Sequence, residues 1–255
     1  MNRPLDLLTS GIASSLRLWR GTWGDRPAAK TPKQLLALYD REDGAECRLV
    51  REALTELNLD AMVYPCPAGG QRFAAQRPAT APDNSDAPVL VDPNSKQTLV
   101  GAATIVPYLF ERYLDRDVPL AMRASLPNLL AARLAGLVRS PLGLSARPSI
   151  APEQPLVLYS FESSPYSRPV RERLCELELP YQLINLGKGQ WSDMGPSAPR
   201  VLAPARYKPV PGTKRDAFFQ RHGKVQVPYL IDPNHGVEMF ESQAILAYLE
   251  RTYAA

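Results

Sequence analysis

An internal repeat constrains the fold of this chain more than any other feature of its sequence. The segment LYDREDGAECRLVREALTELNL, residues 38–59, resembles LYSFESSPYSRPVRERLCELEL, residues 158–179, which lies 120 positions later. The residues of the first copy that recur unchanged include Tyr39, Glu42, Arg48, Val50, Arg51, Glu52, Leu54, Glu56, Leu57 and Leu59. The sequence therefore predicts two similar structural units.

The similarity continues to the end of both copies. PVLVDPN, from Pro88, matches PYLIDPN, from Pro228, and IVPYLFERY, from Ile105, matches ILAYLERTY, from Ile245, now 140 positions apart. Each copy has the pattern of a strand, a helix, a second strand, two strands joined by a DPN turn, and a closing helix. This order predicts an α/β fold of the α+β type, with helices packed on a mixed sheet.

The same patterns divide the chain into four segments. SLRLWRG (residues 15–21) resembles RLAGLVRS (residues 133–140), so each unit is predicted to follow an amphipathic helix. The predicted segments are an N-terminal helix with its lead-in (1–30), a first unit (31–116), a helical linker (117–154) and a second unit (155–255).

Two further stretches rich in proline interrupt the repeat pattern. RPSIAPEQP, residues 147–155, is typical of a linker. Residues 189–223 hold the extra residues of the second copy, and they predict a long loop with a short helix near Asp216 to Arg221.

Composition excludes several classes of protein. The hydrophobic share of 45% and charged share of 22% are those of a globular protein, and the net charge of +4 comes from interleaved charges that predict no nucleic-acid surface. Three cysteines and two histidines are too few and too widely spaced for a disulfide framework or a metal site. We therefore expect no metal and a reducing, cytoplasmic location.

The N-terminal helix is not expected to enter a membrane. Its apolar residues are separated by polar ones at helical spacing, unlike a signal peptide or a membrane span. Leu8, Ile12, Leu16 and Trp19 lie on one side of the predicted helix. Lipid contact is one interpretation of that side, but packing on the rest of the protein is the expectation.

Three short motifs of the second copy add a family resemblance. SSPYS (residues 163–167), GKVQVPYLID (223–232) and ESQAILAYL (241–249) occur in this order. They resemble the thioredoxin-like superfamily, specifically glutaredoxins and the N-terminal domain of glutathione transferases. The resemblance covers roughly residues 33–114 and 155–253, and it implies two tandem thioredoxin-like domains that use glutathione as a co-substrate.

The second and third motifs imply a glutathione site. The resemblance places a cis bond before Pro228, which leaves the backbone of Val227 available to bind the glutathione peptide as an added strand. Glu241 and Ser242 begin a helix, where N–H groups attract a carboxylate and Glu241 accepts an ammonium group. Together they suit the γ-glutamyl end. An ordinary helix-capping pair is the alternative for Glu241 and Ser242.

Ser164 and Ser167 stand where the SSPYS motif places the two cysteines of glutaredoxins. A serine cannot carry out thiol–disulfide exchange at neutral pH. By resemblance to serine-type transferases, Ser164 is the catalytic candidate, which stabilises the glutathione thiolate with help from the helix dipole. The alternative is that Ser164 only caps the helix.

Other residues are secondary candidates. Tyr166 offers another hydroxyl group beside the turn, whereas Tyr159 recurs as Tyr39 and is expected to pack. The resemblance suggests that Lys224 and Arg221, before Val227, hold the glycine carboxylate of glutathione.

The first copy lacks the residues of the site. Gly44 replaces Ser164, and Gly101 and Ala102 replace Glu241 and Ser242. Cys47 falls at the resolving position of glutaredoxins without an attacking cysteine before it, and it is expected to be inert. Cys66 ends the second strand, and Cys175 is expected to be structural.

The resemblance implies a glutathione transferase-like activity, in which the thiolate attacks an unknown electrophile. The chain ends after the closing helix, so the helical domain that forms the electrophile pocket in most glutathione transferases is expected to be missing. The helix near Leu126 to Val138, or the first unit, would then supply that pocket. A non-catalytic scaffold that binds glutathione or a partner is the alternative, and a glutaredoxin-type oxidoreductase is a third one that the serines disfavour. The oligomeric state stays open.

Overall fold

A computed structural model describes residues 3–24, 27–78, 87–194 and 207–255. The first repeat follows helix α1, and its described part contains four strands and two α-helices. Their bounds are α1 Arg3–Leu16, β1 Leu36–Asp40, α2 Ala45–Glu56, β2 Ala61–Pro65, β3 Val89–Asp92, β4 Gln97–Val100 and α3 Ala102–Leu114.

Within its described residues, the second repeat follows helix α4 and has the same order with one more α-helix. Its bounds are α4 Leu126–Arg139, β5 Leu156–Ser160, α5 Arg168–Glu176, β6 Tyr181–Asn185, α6 Lys214–His222, β7 Tyr229–Asp232, β8 Val237–Phe240 and α7 Ser242–Tyr253. The helix expected near Asp216 is thus α6. Residues 195–206 of the predicted loop lie outside the described residues.

The eight strands found among the described residues form one mixed sheet in the order β4-β3-β1-β2-β6-β5-β7-β8. Within each repeat the first two strands are parallel, and the last two are antiparallel to their neighbours. The α/β class and the tandem organisation predicted from the sequence are confirmed.

The two repeats meet edge to edge. Strands β2 and β6 pair antiparallel, with Ala61 opposite Leu183 and Val63 opposite Tyr181. This pairing uses the backbone groups of one edge strand from each repeat, so neither is left open. It also relates the two repeats by an approximate two-fold axis that passes between β2 and β6.

Each repeat has its own hydrophobic core between the sheet and its two long helices. Leu38, Leu54 and Ile105 are fully buried in the first core, and Leu158, Leu174 and Ile245 are their counterparts in the second. Helix α6 covers the other face of the second half of the sheet, where its Phe218 packs on an aromatic cluster.

The DPN turns are held in the same way in both repeats. Asp232 is buried and accepts hydrogen bonds from the hydroxyl groups of Tyr248 and Tyr253, both at 2.6 Å. Burial alone would raise the pKa of Asp232, but these hydrogen bonds lower it to about 2. Asp92 is bound likewise by Tyr108 and Tyr113. The turn therefore anchors the closing helix of each repeat to its sheet.

The two leader helices, α1 and α4, are exchanged between the repeats. Helix α1 precedes the first repeat but packs on the second, where the Ser14 hydroxyl donates to the carbonyl oxygen of Ser163 at 2.9 Å. Helix α4 precedes the second repeat but packs on the first, where a Cβ added to Gly136 would lie 2.8 Å from the carbonyl oxygen of Asp43. Glycine at position 136 thus permits α4 to lie close to the turn of the first repeat.

Helix α1 packs on the protein as expected, but through the opposite face. Its Asp6 and Ser10 are buried, as is Arg17 just beyond its end, whereas the apolar residues expected to pack inward are exposed: Leu8, Ile12, Leu16 and, in the turn that follows the helix, Trp19. The reason is that the surface beneath α1 is itself polar and supplies partners for the polar side of the helix. None of the described helices has the length and hydropathy needed to cross a membrane.

Candidate functional site

The entry to strand β7 has the features expected of a peptide-binding edge. The bond between Val227 and Pro228 is cis, and Pro228 leads directly into β7. Within the described residues, the backbone of Val227 makes no hydrogen bond. Its N–H and carbonyl groups are therefore available to an extended peptide.

Glu241 lies close to this edge. The amide group of Gln226, the residue before Val227, donates a hydrogen bond to Oε1 of Glu241. Glu241 is exposed and has a left-handed backbone with a φ of 72°, and Ser242 is the buried first residue of α7. Helix α7 begins without a hydrogen bond from a capping side chain. The structure thus brings the second and third motifs together.

The corresponding positions of the first repeat are filled by its own side chains. Oε2 of Glu46 accepts a hydrogen bond from the N–H of Ala102, at the start of α3, at 2.7 Å. The guanidinium group of Arg77 donates to the carbonyl oxygen of Ala87, which corresponds to Val227, at 2.6 Å. A carboxylate and a donor from the chain therefore take the places that a ligand would take.

Two substitutions between the repeats account for this difference. The residue of the second repeat that corresponds to Glu46 is Tyr166, which is half-buried and has no carboxylate. Gly101 corresponds to Glu241, and a Cβ at Gly101 would lie 3.1 Å from Oε2 of Glu46. The glycine therefore leaves room for the internal carboxylate.

Ser164 lies in the turn before α5, and its hydroxyl group is engaged there. The N–H and the hydroxyl group of Ser167 donate to Oγ of Ser164 at 3.2 and 3.0 Å. Ser164 is 1% exposed and Ser167 is fully buried. The N-cap of α5 is Ser167, whose side chain makes no capping hydrogen bond, so these contacts hold the turn before the helix.

The turn also serves as the contact between the two halves of the molecule. Helix α1 covers it through Ser14, and the hydroxyl groups of Thr22 and Ser163 are hydrogen-bonded. The guanidinium group of Arg168 donates to the hydroxyl groups of Ser10 and Ser14. The polar residues of the turn thus bind the N-terminal segment of the same chain.

Four charged residues cross between the repeats on the two-fold axis. Nε of Arg51 lies 2.9 Å from Oε2 of Glu162, and the guanidinium group of Arg171 lies 3.0 Å from Oε1 of Glu42. Each arginine also donates to a backbone carbonyl oxygen of the turn in its own repeat, Glu42 for Arg51 and Glu162 for Arg171. We call these four residues the crossed ion pairs.

Burial makes the electrostatics of this region strong. Desolvation opposes ionisation of Glu162, but Arg171, Arg51, Arg168 and Arg48 hold its pKa well below the ordinary value. Burial, and then the charge of Arg48, lowers the pKa of Arg168 to about 9. The carboxylate of Glu162 therefore stays ionised inside the protein because positive charges surround it.

Two further ion pairs flank the crossed ones and follow the same symmetry. Arg17 binds Glu52 through two nitrogens at 2.9 and 2.7 Å, and Arg139 binds Glu172 in the same way at 2.7 and 2.5 Å. Each pair fixes the end of a leader helix to the first helix of the repeat that follows it. One ion pair thus holds the C-terminal end of each leader helix in place.

The remaining candidates have other partners. Nζ of Lys224 lies 4.0 Å above the centre of the Phe240 ring, and Arg221 pairs with Glu238 at 2.8 Å on the surface. Both side chains lie near the entry to β7, but neither contact defines a carboxylate site.

The cysteines are poorly suited to redox chemistry. Cys47 is buried, and burial raises the pKa of its thiol well above the usual value. Burial likewise raises the pKa of Cys66 to about 12 and that of Cys175 well above normal. Because the thiolate is the reactive form, this is consistent with the expectation that Cys47 is inert.

Sequence analysis missed the importance of the crossed ion pairs. Glu42, Arg51 and their counterparts were visible as recurring residues, yet the motif comparison attached no role to them. A signal was present, because Glu42 and Arg51 recur as Glu162 and Arg171 with the same spacing. Their partners lie 111 and 129 positions away, so no local sequence pattern predicts which residues they bind.

The match to a known protein family falls on the two repeats separately. The model of the glutathione S-transferase N-terminal domain matches the chain twice, at residues 38–116 and 158–255. These two regions cover more than half of the sequence, and the chain belongs to this family. It is a glutathione-related protein with two thioredoxin-like domains. Neither a curated protein nor a solved structure was found to match the chain.

Proposed function

We propose that the protein binds glutathione in its second repeat, and that binding rather than conjugation is its function. The observation that carries this proposal is the contrast between the closing helices. Glu46 occupies the start of α3 in the first repeat, whereas no carboxylate of the described residues takes that place at the start of α7. The two repeats thus differ in the features that a γ-glutamyl group would need.

Each end of glutathione has a proposed partner. Its backbone pairs with Val227 beside Pro228, as an added strand. The carboxylate of its γ-glutamyl group binds the N–H groups at Ser242, and its ammonium group binds Glu241. Lys224 is the proposed cation for the glycine carboxylate, with Arg221 as the secondary candidate. Binding through these groups needs no reaction at the sulfur.

The burial of Ser164 supports binding without conjugation. Its hydroxyl group already accepts two hydrogen bonds inside the turn, and α1 covers that turn. A thiolate-stabilising donor must reach the sulfur of the ligand, and a residue that is 1% exposed has little access to it. The proposal therefore assigns Ser164 to the structure of the turn.

Replacing Glu241 with alanine tests the binding site. We expect a loss of about 1–3 kcal/mol of glutathione binding, because one charge-assisted hydrogen bond to the ammonium group is removed. Isothermal titration calorimetry measures this loss, and it should find one site per chain in the wild type. Glu153→Ala, which removes another exposed carboxylate, is the matched control. Equal affinity in both variants, or two sites per chain, would disprove the proposed site.

Glutathione transferase activity is the second candidate, favoured by the position of Ser164 and Ser167 at the start of α5. Ser164→Ala separates the two functions. If Ser164 only holds the turn before α5, the free energy of unfolding falls by about 1–2 kcal/mol, while glutathione affinity stays unchanged. Conjugation of an aromatic electrophile should stay at the uncatalysed rate in both proteins. A wild-type rate above that background, lost in the variant at unchanged affinity, would establish the transferase instead.

A further inference from the structure

The leader helices expose the side that an ordinary surface helix would bury. On α1 the described residues with buried side chains include Asp6, Ser10 and Ser14, and Arg17 directly after it is buried too, whereas the outward residues are 38 to 61% exposed: Leu5, Leu8, Ile12 and Leu16. An isolated exposed leucine needs no explanation, but an apolar stripe along a whole helix does.

Helix α4 repeats this reversal. It buries Ala132, Ala135, Gly136 and Arg139, and its outward residues are 52 to 71% exposed: Leu126, Leu130, Leu134 and Leu137. The two helices pack side by side, so their stripes form one surface. We call these eight outward residues the leader face.

The ion pairs beneath the two helices hold their polar sides inward. Arg17 and Arg139 point inward to Glu52 and Glu172, and the carbonyl oxygens of Asn128 and Asp6 accept further hydrogen bonds from the same guanidinium groups. These contacts fix the rotation of both helices about their axes. The helices therefore cannot turn their leucines inward without leaving buried charges unpaired.

We propose that the leader face is the interface of a homodimer, in which a second copy of this chain covers it. The two-fold relation between α1 and α4 makes the face similar to itself after a half-turn, which suits the isologous contact of a symmetric dimer. Two helix pairs in contact would form a four-helix layer. This inference does not depend on glutathione binding.

The size of the face agrees with such an interface. Two helices of 14 residues each, about 21 Å long and roughly 10 Å apart, form a face about 20 Å on each side. Such a face covers about 400 Å² in projection, and the exposed residues Leu18, Trp19 and Leu120 add to the apolar area near the two helices, so the contact lies toward the lower end of specific interfaces, at about 600 Å² per partner. Beside it lies a cavity of about 660 Å³, lined in part by Leu126, Leu130 and Leu137, which offers room for side chains of the second copy.

Charge favours a protein partner over a lipid surface. Among the described side chains of α1 and α4, Arg133 is the exposed charged residue. Helices that lie on a membrane present many lysines and arginines next to their apolar face, whereas protein interfaces are poor in charge at their centre. The leader face has the second composition.

Sedimentation equilibrium of the full chain tests this proposal. We expect the wild type to be a dimer. Ile12→Glu combined with Leu134→Glu places one buried charge on each helix, and we expect the dissociation constant to rise on the order of 100-fold or more. Ile150→Glu, at an equally exposed isoleucine outside the leader face, is the matched control and should remain dimeric. Thermal unfolding verifies that the variants fold, and Ile12→Gln with Leu134→Gln replaces the double variant if the glutamates unfold it.

Three results would overturn the proposal. The first is a wild type that stays monomeric. The second is a dimer that the double substitution leaves intact. The third is a monomer that co-sediments with vesicles of phosphatidylcholine and phosphatidylserine, which would make the leader face a lipid-binding surface.

Discussion

Replacing Arg171 with alanine is expected to lower the free energy of unfolding by about 3–5 kcal/mol. Arg171 is buried and is paired with Glu42 across the two repeats at 3.0 Å. Its removal leaves this carboxylate buried without its main partner. The loss should therefore exceed what the truncation of a surface side chain costs. Chemical denaturation monitored by circular dichroism measures the change.

Two comparisons make the Arg171 result specific. Arg251→Ala, on the exposed side of α7, should change stability by no more than about 0.5 kcal/mol. Combining Arg171→Ala with Glu42→Ala should cost less than the sum of the single substitutions, because the two residues interact directly. Additive effects, or a loss below about 1 kcal/mol for Arg171→Ala, would show that the crossed ion pairs do not hold the halves together.

Transferring the internal carboxylate of the first repeat to the second should abolish glutathione binding. In Tyr166→Glu combined with Glu241→Gly, the new carboxylate is expected to accept the N–H at the start of α7, as Glu46 does at α3. It would occupy the place proposed for the γ-glutamyl carboxylate and repel that group, while the ammonium partner is lost. We expect affinity to fall by more than about 100-fold. Calorimetric titration measures the change.

Stability distinguishes this effect from damage to the fold. A carboxylate at a helix N-terminus typically stabilises by about 0.3–1 kcal/mol, so the unfolding temperature should be maintained. Tyr166→Phe, which keeps the ring without adding charge, is the control and should bind glutathione normally. Unchanged affinity in the double variant would mean that glutathione does not use the start of α7. A protein that loses both binding and stability would contradict the proposed exchange of carboxylates.

The candidate site was predicted from local motifs, because each motif contains both the backbone feature and the side chain that it needs. Pro228 marks the strand entry, and Glu241 and Ser242 mark the helix start. Their proximity followed from the family resemblance, and the contact between Gln226 and Glu241 agrees with it. Their binding of glutathione stays a prediction. The sequence showed only part of the difference in the first repeat. It showed that Gly101 and Ala102 replace Glu241 and Ser242, but it did not show that Glu46 and Arg77 fill the corresponding places.

The sequence by itself determined the two repeats, their order of strands and helices, and the residues that the motifs share. Hydrophobic periodicity and turn residues depend on a few neighbouring positions, so they can be recognised in the sequence alone. Only the tertiary structure decided that β2 pairs with β6, that α1 and α4 cover each other's repeats, and that the turn of Ser164 is buried beneath α1. These features arise from charges such as Arg51 and Glu162, which must find partners when they leave water. Those partners lie more than 100 residues apart in the sequence. They meet only in the folded protein, so no local sequence pattern predicts the pairing.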